Sequence, residues 1–296
     1  MNRVRPIRQR KERGIALILV LWVLILLGMI AASFLRESRL GTNLARNMTE
    51  NAKAEALADA GVSRAMLGLL DADPATAWRA DGKPYQLELG EGTVVVRIAD
   101  EGGKVDLNRA PTPILRGLLQ AAGLDEVGAR KLADAINDFR DPDHEHRPDG
   151  AEDPEYEAAG IEAGAKDAPF DDKEELMQVL GMTRATYDAI KPYVTVYSGR
   201  SRINLMTAPE FLLRTIPNMT PQQLSKILAE RAAGTSLARA RVDVVTVRAE
   251  AVTRGGGAFI REAALKRSGE VERPFEILSW QQEWQSGAQP AETSER

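Results

Sequence analysis

The chain has 296 residues, of which 28% are charged and 44% hydrophobic, with 39 Lys/Arg against 43 Asp/Glu and a formal net charge of −4. That length accommodates one large or two modest domains with an ample core, and the balance is that of an ordinary globular protein. The absence of cysteine excludes a disulfide framework and thiolate metal sites, and with residues 1–14 set aside the remainder carries −9, the wrong sign for a polyanion binder.

Arg3, Arg5, Arg8, Arg10, Lys11 and Arg13 precede a run from Ile15 to Leu35 that contains no charged residue. About twenty apolar residues at about 1.5 Å each match a hydrocarbon core of about 30 Å, which predicts a transmembrane helix over 15–35. The basic flank would stay cytoplasmic and the rest of the chain would lie beyond the inner membrane. The run is too long for the apolar region of a cleaved secretory signal, about 7–15 residues. Past Arg36 the helical spacing continues through Leu40, Leu44, Met48, Ala52, Val62, Met66 and Leu69, with no proline before Pro74. One helix is therefore predicted over 15–70, its second half packed on a domain.

Tyr85–Leu89 and Thr93–Asp100 alternate as strands around Gly90-Glu91-Gly92, a predicted hairpin. Further strands are predicted at Val245–Ala251, at Ala258–Lys266 after a Gly255–Gly257 turn, and at Phe275–Trp280. Between the two strand groups lies an internal echo: "VDLNRAPTPILR" from Val105 and "RINLMTAPEFLLR" from Arg202. Leu107/Leu205, Ala110/Ala208, Pro111/Pro209, Leu115/Leu213 and Arg116/Arg214 coincide at an offset of 98. In each copy proline marks a helix start, and second helices are predicted at 125–138 and 221–233. A third pair surrounds Gly181, at 173–180 and 184–193. Such units read as helix-hairpin-helix-like, a motif that elsewhere binds DNA backbone. Residues 104–197, however, carry 11 Lys/Arg against 20 Asp/Glu, the wrong sign for phosphate.

The stretch Ile136–Gly160 holds Asp138, Asp141, Asp143, Glu145, Asp149, Glu152, Asp153, Glu155 and Glu157. Crowded carboxylates repel unless solvated or bridged by a hard cation, and Ca²⁺ takes about 6–8 oxygen ligands. Counted from Asp141, acidic residues fall at EF-hand positions, but His146 stands where that loop needs glycine and Pro142 stiffens the start. Composition alone leaves a solvated acidic loop and a calcium loop both open, with the pair His144 and His146 as a weaker zinc alternative.

Arg13-Gly14 ahead of Ile15-Ala16-Leu17 and a long apolar helix resembles the type IV pilins and type II secretion pseudopilins, whose prepilin peptidase cuts after the glycine. The resemblance implies cleavage between Gly14 and Ile15, with methylation, and an α+β fold. That fold is a type IV pilin-like core, a long N-terminal helix packed on an antiparallel sheet, with a large inserted α-helical domain containing helix-hairpin-helix-like units. Leu19 stands at the fifth mature position, where most pilins carry glutamate. A buried carboxylate is costly without a partner charge, so its loss suits a tip subunit, and within the family it marks the K-type minor pseudopilin. Asp138, Asp141, Asp143, Gly150, Ala151, Glu152, Asp153 and Tyr156 are similar to a K-type pattern whose helical domain holds calcium. The implied structural calcium ligands lie among Asp138, Asp141, Asp143, Glu145, Glu152, Asp153 and Glu155. Tyr193–Tyr197 and Phe275–Trp280 fit the same family.

The implied domains are a cleaved basic leader (1–14), the N-terminal helix (15–70), a first part of the core (71–103), and the inserted helical domain with the acidic loop (104–200). The repeat hairpin and second part of the core (201–282) and a flexible tail (283–296) complete the chain. The implied role is to cap the tip of the type II secretion pseudopilus and take part in protein export across the outer membrane. The implied partners are the I-type and J-type minor pseudopilins, other pseudopilins and prepilin peptidase, with the secretin and secreted cargo at the outer face and no nucleic acid. The implied location is a single pass of the bacterial inner membrane with a periplasmic C-terminal part. No nucleophile elbow or phosphate-binding glycine loop occurs, so no catalytic role is expected. The competing reading is a membrane-anchored helix-hairpin-helix DNA-binding protein of the competence type, which would need a basic hairpin surface and an unprocessed N-terminus.

Overall fold

The structure is a computed structural model that describes residues 13–73, 75–233 and 242–283. Residues 1–12 of the expected leader, and the tail beyond 283, lie outside the described residues, as do the side chains of Gly14 and Ile15 at the expected cleavage point.

The first element is α1 (Arg13–Leu70), uninterrupted because no proline falls within it. It ends where the Asp71 carboxylate accepts from Asp73 N at 3.0 Å and from Thr76 Oγ1 at 2.7 Å, a local turn that competes with the helix. The stripe it buries is narrower and later than the apolar spacing predicts. Leu44 and Met48 are exposed, whereas Ala54, Ala58, Val62 and Ala65 are fully covered. Small residues are needed because the helix lies close on the sheet: a Cβ on Gly61 would meet Val94 Cγ1 at 2.8 Å. The residues before Glu50 simply have no sheet beneath them.

The membrane expectation is corrected here. Among the described residues no helix is long and apolar enough to cross a membrane. The transmembrane segment at 15–35 falls, and with it the single-pass inner-membrane placement and the periplasmic C-terminal part.

β1 (Asp81–Leu89) and β2 (Gly92–Asp100) form the predicted hairpin. The chain then leaves the sheet for some 140 residues and returns as β5 (Val244–Thr253), which pairs directly with β2 from Gly92↔Thr253 to Asp100↔Val245. Two more antiparallel strands, β6 (Ala258–Arg267) and β7 (Phe275–Glu283), complete the order β1-β2-β5-β6-β7. Strict alternation on β2 puts Val94, Val96 and Ile98 against α1, with Val247, Ala249 and Ala263 beside them. The fold is thus a mixed one, a helix on an antiparallel sheet interrupted by a helical insert.

The insert runs through β3 (Val105–Asp106), α2 (Thr112–Ala121), α3 (Glu126–Arg140), α4 (Asp153–Ala158), α5 (Arg184–Ile190) and β4 (Val194–Thr195), where β4 pairs in parallel with β3. It continues through α6 (Glu210–Thr215) and α7 (Pro221–Ala232). Its apolar cluster, around Leu107, Leu118, Phe139, Tyr156 and Leu176, shares no residue with the cluster under α1. The seam between them is polar. Asp100, at the end of β2, accepts from Asn204 Nδ2 at 2.8 Å and Thr207 Oγ1 at 2.6 Å. Buried Glu101 pairs with Lys104 at 2.5 Å and accepts from Thr246 Oγ1 at 2.7 Å. Buried polar groups need directional partners, so this seam fixes the insert in one orientation on the sheet end.

Candidate metal centre

The acidic stretch is built on the end of α3 and the start of α4. Asp125 caps α3 by accepting from Gly128 N at 2.7 Å, and fifteen residues later the helix stops at Arg140, ahead of Pro142. Asp138, in the last turn of α3, is completely buried and serves the loop itself. Its Oδ2 accepts from Arg147 N at 3.1 Å and Ala151 N at 3.0 Å, and its Oδ1 pairs with Arg147 Nη1 at 2.5 Å. A side chain at Gly150 would collide with that same carboxylate. Arg147 Nη1 also reaches Asp141 Oδ2 at 2.6 Å. One guanidinium thus folds the loop back onto the helix that precedes it.

Part of the acidic stretch is helical: Glu152 and Asp153 open α4, and Glu155 Oε2 accepts from Glu152 N at 3.0 Å. Asp153 Oδ1 accepts from Ala165 N at 3.1 Å and so brings the 165–167 segment alongside. The outcome is two triads sharing Glu152: Asp141, Asp143 and Glu152, and His144, Glu152 and Asp167, with the ligand atoms of each within 4.8 Å of one another.

Hydrogen bonding separates these residues from the rest. Among the described residues, the buried side-chain polar atoms without a partner are Asp141 Oδ1, both Glu152 oxygens, Asp167 Oδ1 and Tyr187 Oη. Four of the five belong to the triads. An orphaned buried carboxylate oxygen is costly unless something absent from the polypeptide satisfies it. Burial first, then the charges of Asp138, Asp167 and Asp141, push the Glu152 carboxyl up to about 7. A divalent ion with an oxygen shell suits Asp141, Asp143 and Glu152 in charge and donor type.

Of the sequence-predicted ligands, then, Asp141, Asp143 and Glu152 are brought together. Asp138, Asp153 and Glu155 are engaged by protein donors, and Glu145 is exposed outside both triads. The alternative pair does not converge either, because His146 Nδ1 turns to Arg147 O at 2.7 Å. Asp167 is the residue that sequence spacing does not reveal. It lies 26 positions beyond Asp141, and its only local mark is a non-glycine backbone φ of 52°.

A family model described as type II secretion system (T2SS), protein K, matches residues 95–199. The type II secretion system protein K of Klebsiella pneumoniae is 26% identical over 279 residues, covering 87% of this chain and 82% of that protein. That of Pseudomonas aeruginosa is 27% identical over 246 residues, covering 75% and 73%. The crystal structure of the GspK-GspI-GspJ complex from the enterotoxigenic Escherichia coli type 2 secretion system is similar in fold. Its TM-score is 0.56 at 19% identity, over 84% of this chain and 99% of that one. In sequence and in fold the chain is similar to protein K of type II secretion systems.

The segment matched to the protein K family begins within β2, carries the first copy of the repeat and both triads, and ends before the second copy. The family signature and the candidate metal centre therefore occupy the same part of the insert, while α6 and α7 lie outside it.

Proposed function

We propose that this K-type subunit caps the tip of the type II secretion pseudopilus and takes part in protein export across the outer membrane. The observation that carries this reading is the position of the insert relative to the rod. Glu50, where α1 reaches the sheet, bonds Thr253 Oγ1 at 2.6 Å at the end of the sheet that holds Gly92. Leu69 O, at the far end of α1, accepts from Arg267 Nη2 at 2.9 Å, near Asp100 and Val244, where the insert departs and returns. The free part of the rod leaves one end of the sheet and the insert occupies the other. A subunit so shaped packs by its stem and blocks further stacking above.

The pilin-type core in this reading is α1 on the five-stranded sheet. The exposed apolar residues of the first half of α1, such as Leu21, Trp22 and Leu24, are a packing surface for neighbouring stems. The I-type and J-type minor pseudopilins are the proposed neighbours, on the analogy of the complex with GspI and GspJ, and the insert faces the secretin or cargo. Processing by prepilin peptidase at Gly14/Ile15 would leave Leu19 at the fifth position, without the carboxylate that would need a partner below it. Calcium at Asp141, Asp143 and Glu152 would stabilise the insert by neutralising its loop. The DNA-binding alternative gains no support from the helical pairs: Arg140 and Arg231 turn inward onto the carbonyls of Leu107 and Leu205.

The test is to label the insert with gold and image sheared pseudopili by electron microscopy. One label at a single end of each filament is expected. Labels distributed along the shaft would sink the capping role.

A further inference from the structure

We propose that the cleft between the end of α1 and the insert-side ends of β5, β6 and β7 is a docking site for an extended segment of a partner protein, one that carries a large apolar side chain beside a carboxylate. The proposal rests on the capping reading only in taking that partner from outside the filament.

The cleft arises where α1 stops. After the turn at Asp71–Thr76 the chain folds back, with Trp78 N donating to Gly68 O at 2.8 Å, and leaves a hollow of about 290 Å³. That is the small end of ligand sites, about 300–1,000 Å³, so it takes one or two side chains rather than a folded body. Its floor is the end of the cluster under α1: Val245 and Leu265 are buried, while Leu69, Trp78, Val242 and Phe275 are only partly covered. Trp78 is fixed in advance. It stacks on Tyr85 with ring centroids 4.1 Å apart, Arg64 Cζ lies 4.8 Å from its ring centre, and a Cβ on Gly68 would strike the indole at 2.5 Å. An aromatic surface held this way loses little entropy on binding.

Charge selects the ligand. Asp71, Asp243, Arg79 and Arg267 all line the cleft. The acceptors are spent: the Asp71 oxygens hold the turn, through Asp73 N at 3.0 Å and Thr76 Oγ1 at 2.7 Å, and Asp243 Oδ2 pairs with Arg200. The donors are not. Arg267 gives one N–H to Leu69 O at 2.9 Å and keeps the rest of its fork, and the Arg79 guanidinium has no partner among the described residues. A ligand that brings acceptors complements this rim, and a carboxylate does so with two oxygens at once.

The neighbouring sheet edge selects a peptide over a lipid carboxylate. β7 is an edge strand whose first residue, Phe275, lines the cleft, and Ile277, on the same face, is 54% exposed. Unpaired backbone groups and an apolar side chain therefore lead away from the hollow, and an extended chain can pair with those groups where an acyl chain cannot. The cleft also lies at the sheet end opposite the free part of α1, clear of neighbouring stems in the capping reading.

Binding of acetyl-Asp-Leu-Phe-Asp-amide to the full-length chain is followed by calorimetry, beside the same peptide with Asn for both Asp residues and beside decanoate. The acidic peptide is expected to bind at least about tenfold more tightly than the neutral one, the size of one charge-assisted hydrogen bond. Arg79→Gln together with Arg267→Gln should remove that preference and leave the neutral peptide's affinity unchanged. Ala72→Phe, at an exposed position lining the cleft, should block both peptides without moving the unfolding midpoint. Equal affinity for the two peptides, or binding untouched by Ala72→Phe, would overturn the proposal. Decanoate that competes as strongly as the acidic peptide would replace the peptide with a lipid carboxylate, and affinity that falls as chain concentration rises would give the cleft to a second copy. Peptide binding as expected while gold labels spread along the shaft would overturn the capping role and leave the cleft standing.

Discussion

The two copies of the repeated motif share a backbone and differ in what covers them. Ala110 N donates to Asp106 O at 2.8 Å, and 98 residues later Ala208 N donates to Asn204 O at 2.9 Å. Asn108 N and Met206 N donate to the preceding side-chain oxygens of Asp106 and Asn204 at 2.9 and 3.1 Å. In both copies an arginine from the last turn of the second helix, Arg140 or Arg231, closes on the leucine carbonyl. Yet Leu107 is wholly buried and Leu205 is 37% exposed, and α7 buries no residue where α3 buries nine. The cause is long-range. Leu107 N is held by Thr195 O at 2.8 Å through the β3–β4 pair, whereas Leu205 N has no partner among the described residues. Local sequence sets the turn; distant chain decides its energetic weight.

The largest test of that asymmetry lies just before each copy. Lys104 and Arg202 are equivalent at the same offset, but Lys104 pairs with buried Glu101 while Arg202 is exposed. Removing one partner of a buried pair costs about 3–5 kcal/mol, so Lys104→Met should lower stability by that much in chemical denaturation. Arg202→Met should stay within about 0.5 kcal/mol. The pH dependence should also change sign. Burial opposes the Glu101 charge, but Lys104, with further hydrogen bonds, holds its carboxyl below the ordinary 4.5. Its contribution is therefore present above pH 4.5 and lost as pH falls through the lower folded value. In Lys104→Met burial is left to dominate, and stability should fall as pH rises above 4.5. Equal losses for the two variants would remove the contrast.

Next come the leucines themselves. Leu107→Ala should cost about 2–5 kcal/mol, as for a filled core site. Leu205→Ala should cost at most about 1 kcal/mol, because much of its surface is already in water. Unfolding midpoints of the two variants measure this directly.

What could be read in advance follows the same division. The alternation of Val94, Val96 and Ile98 reports a face that one neighbour covers, so β2 was legible residue by residue. The repeat was legible because its turn needs proline and alanine at fixed places. The buried stripe of α1 was not, since Leu44 and Met48 look like core until the sheet proves to end near Glu50. The candidate site was half legible. Asp141, Asp143 and Glu152 stand out as acidic spacing, but Asp167 joins them only through the Asp153–Ala165 contact, which leaves no periodic trace. The apolar opening segment misled in the opposite direction: a charge-free run in the chain did not become a spanning helix among the described residues.

A smaller effect is expected where the copies differ in chemistry at one position. Asp106 accepts from Ser198 Oγ at 2.8 Å and Gly199 N at 2.7 Å, whereas its counterpart Asn204 donates to Asp100 at 2.8 Å. The first site requires an acceptor and the second a donor. Asn204→Asp would set a carboxylate against Asp100 and cost about 1–3 kcal/mol at neutral pH, with partial recovery near pH 4 as one of the pair protonates. The reciprocal change, Asp106→Asn, should cost about 1 kcal/mol and show no such recovery. Denaturation at the two pH values separates these outcomes.

The smallest effect belongs to the exposed helix alone. Thr220 caps α7 by accepting from Gln223 N at 3.2 Å, and Gln223 Oε1 accepts in return from Thr220 N at 2.9 Å. A helix with no buried residue depends on its caps more than one held by a core. Thr220→Ala should therefore destabilise α7 by about 1 kcal/mol, which is about fivefold faster amide exchange across residues 221–232. The global unfolding midpoint should not move, because α7 can open without exposing the cluster around Leu118 and Phe139. Asp125→Ala removes the same kind of cap from α3 and should lower the global midpoint, since that helix is part of the core. If Thr220→Ala shifted the midpoint as far as Asp125→Ala does, α7 would be a cooperative part of the insert and the two copies would be energetic equals after all.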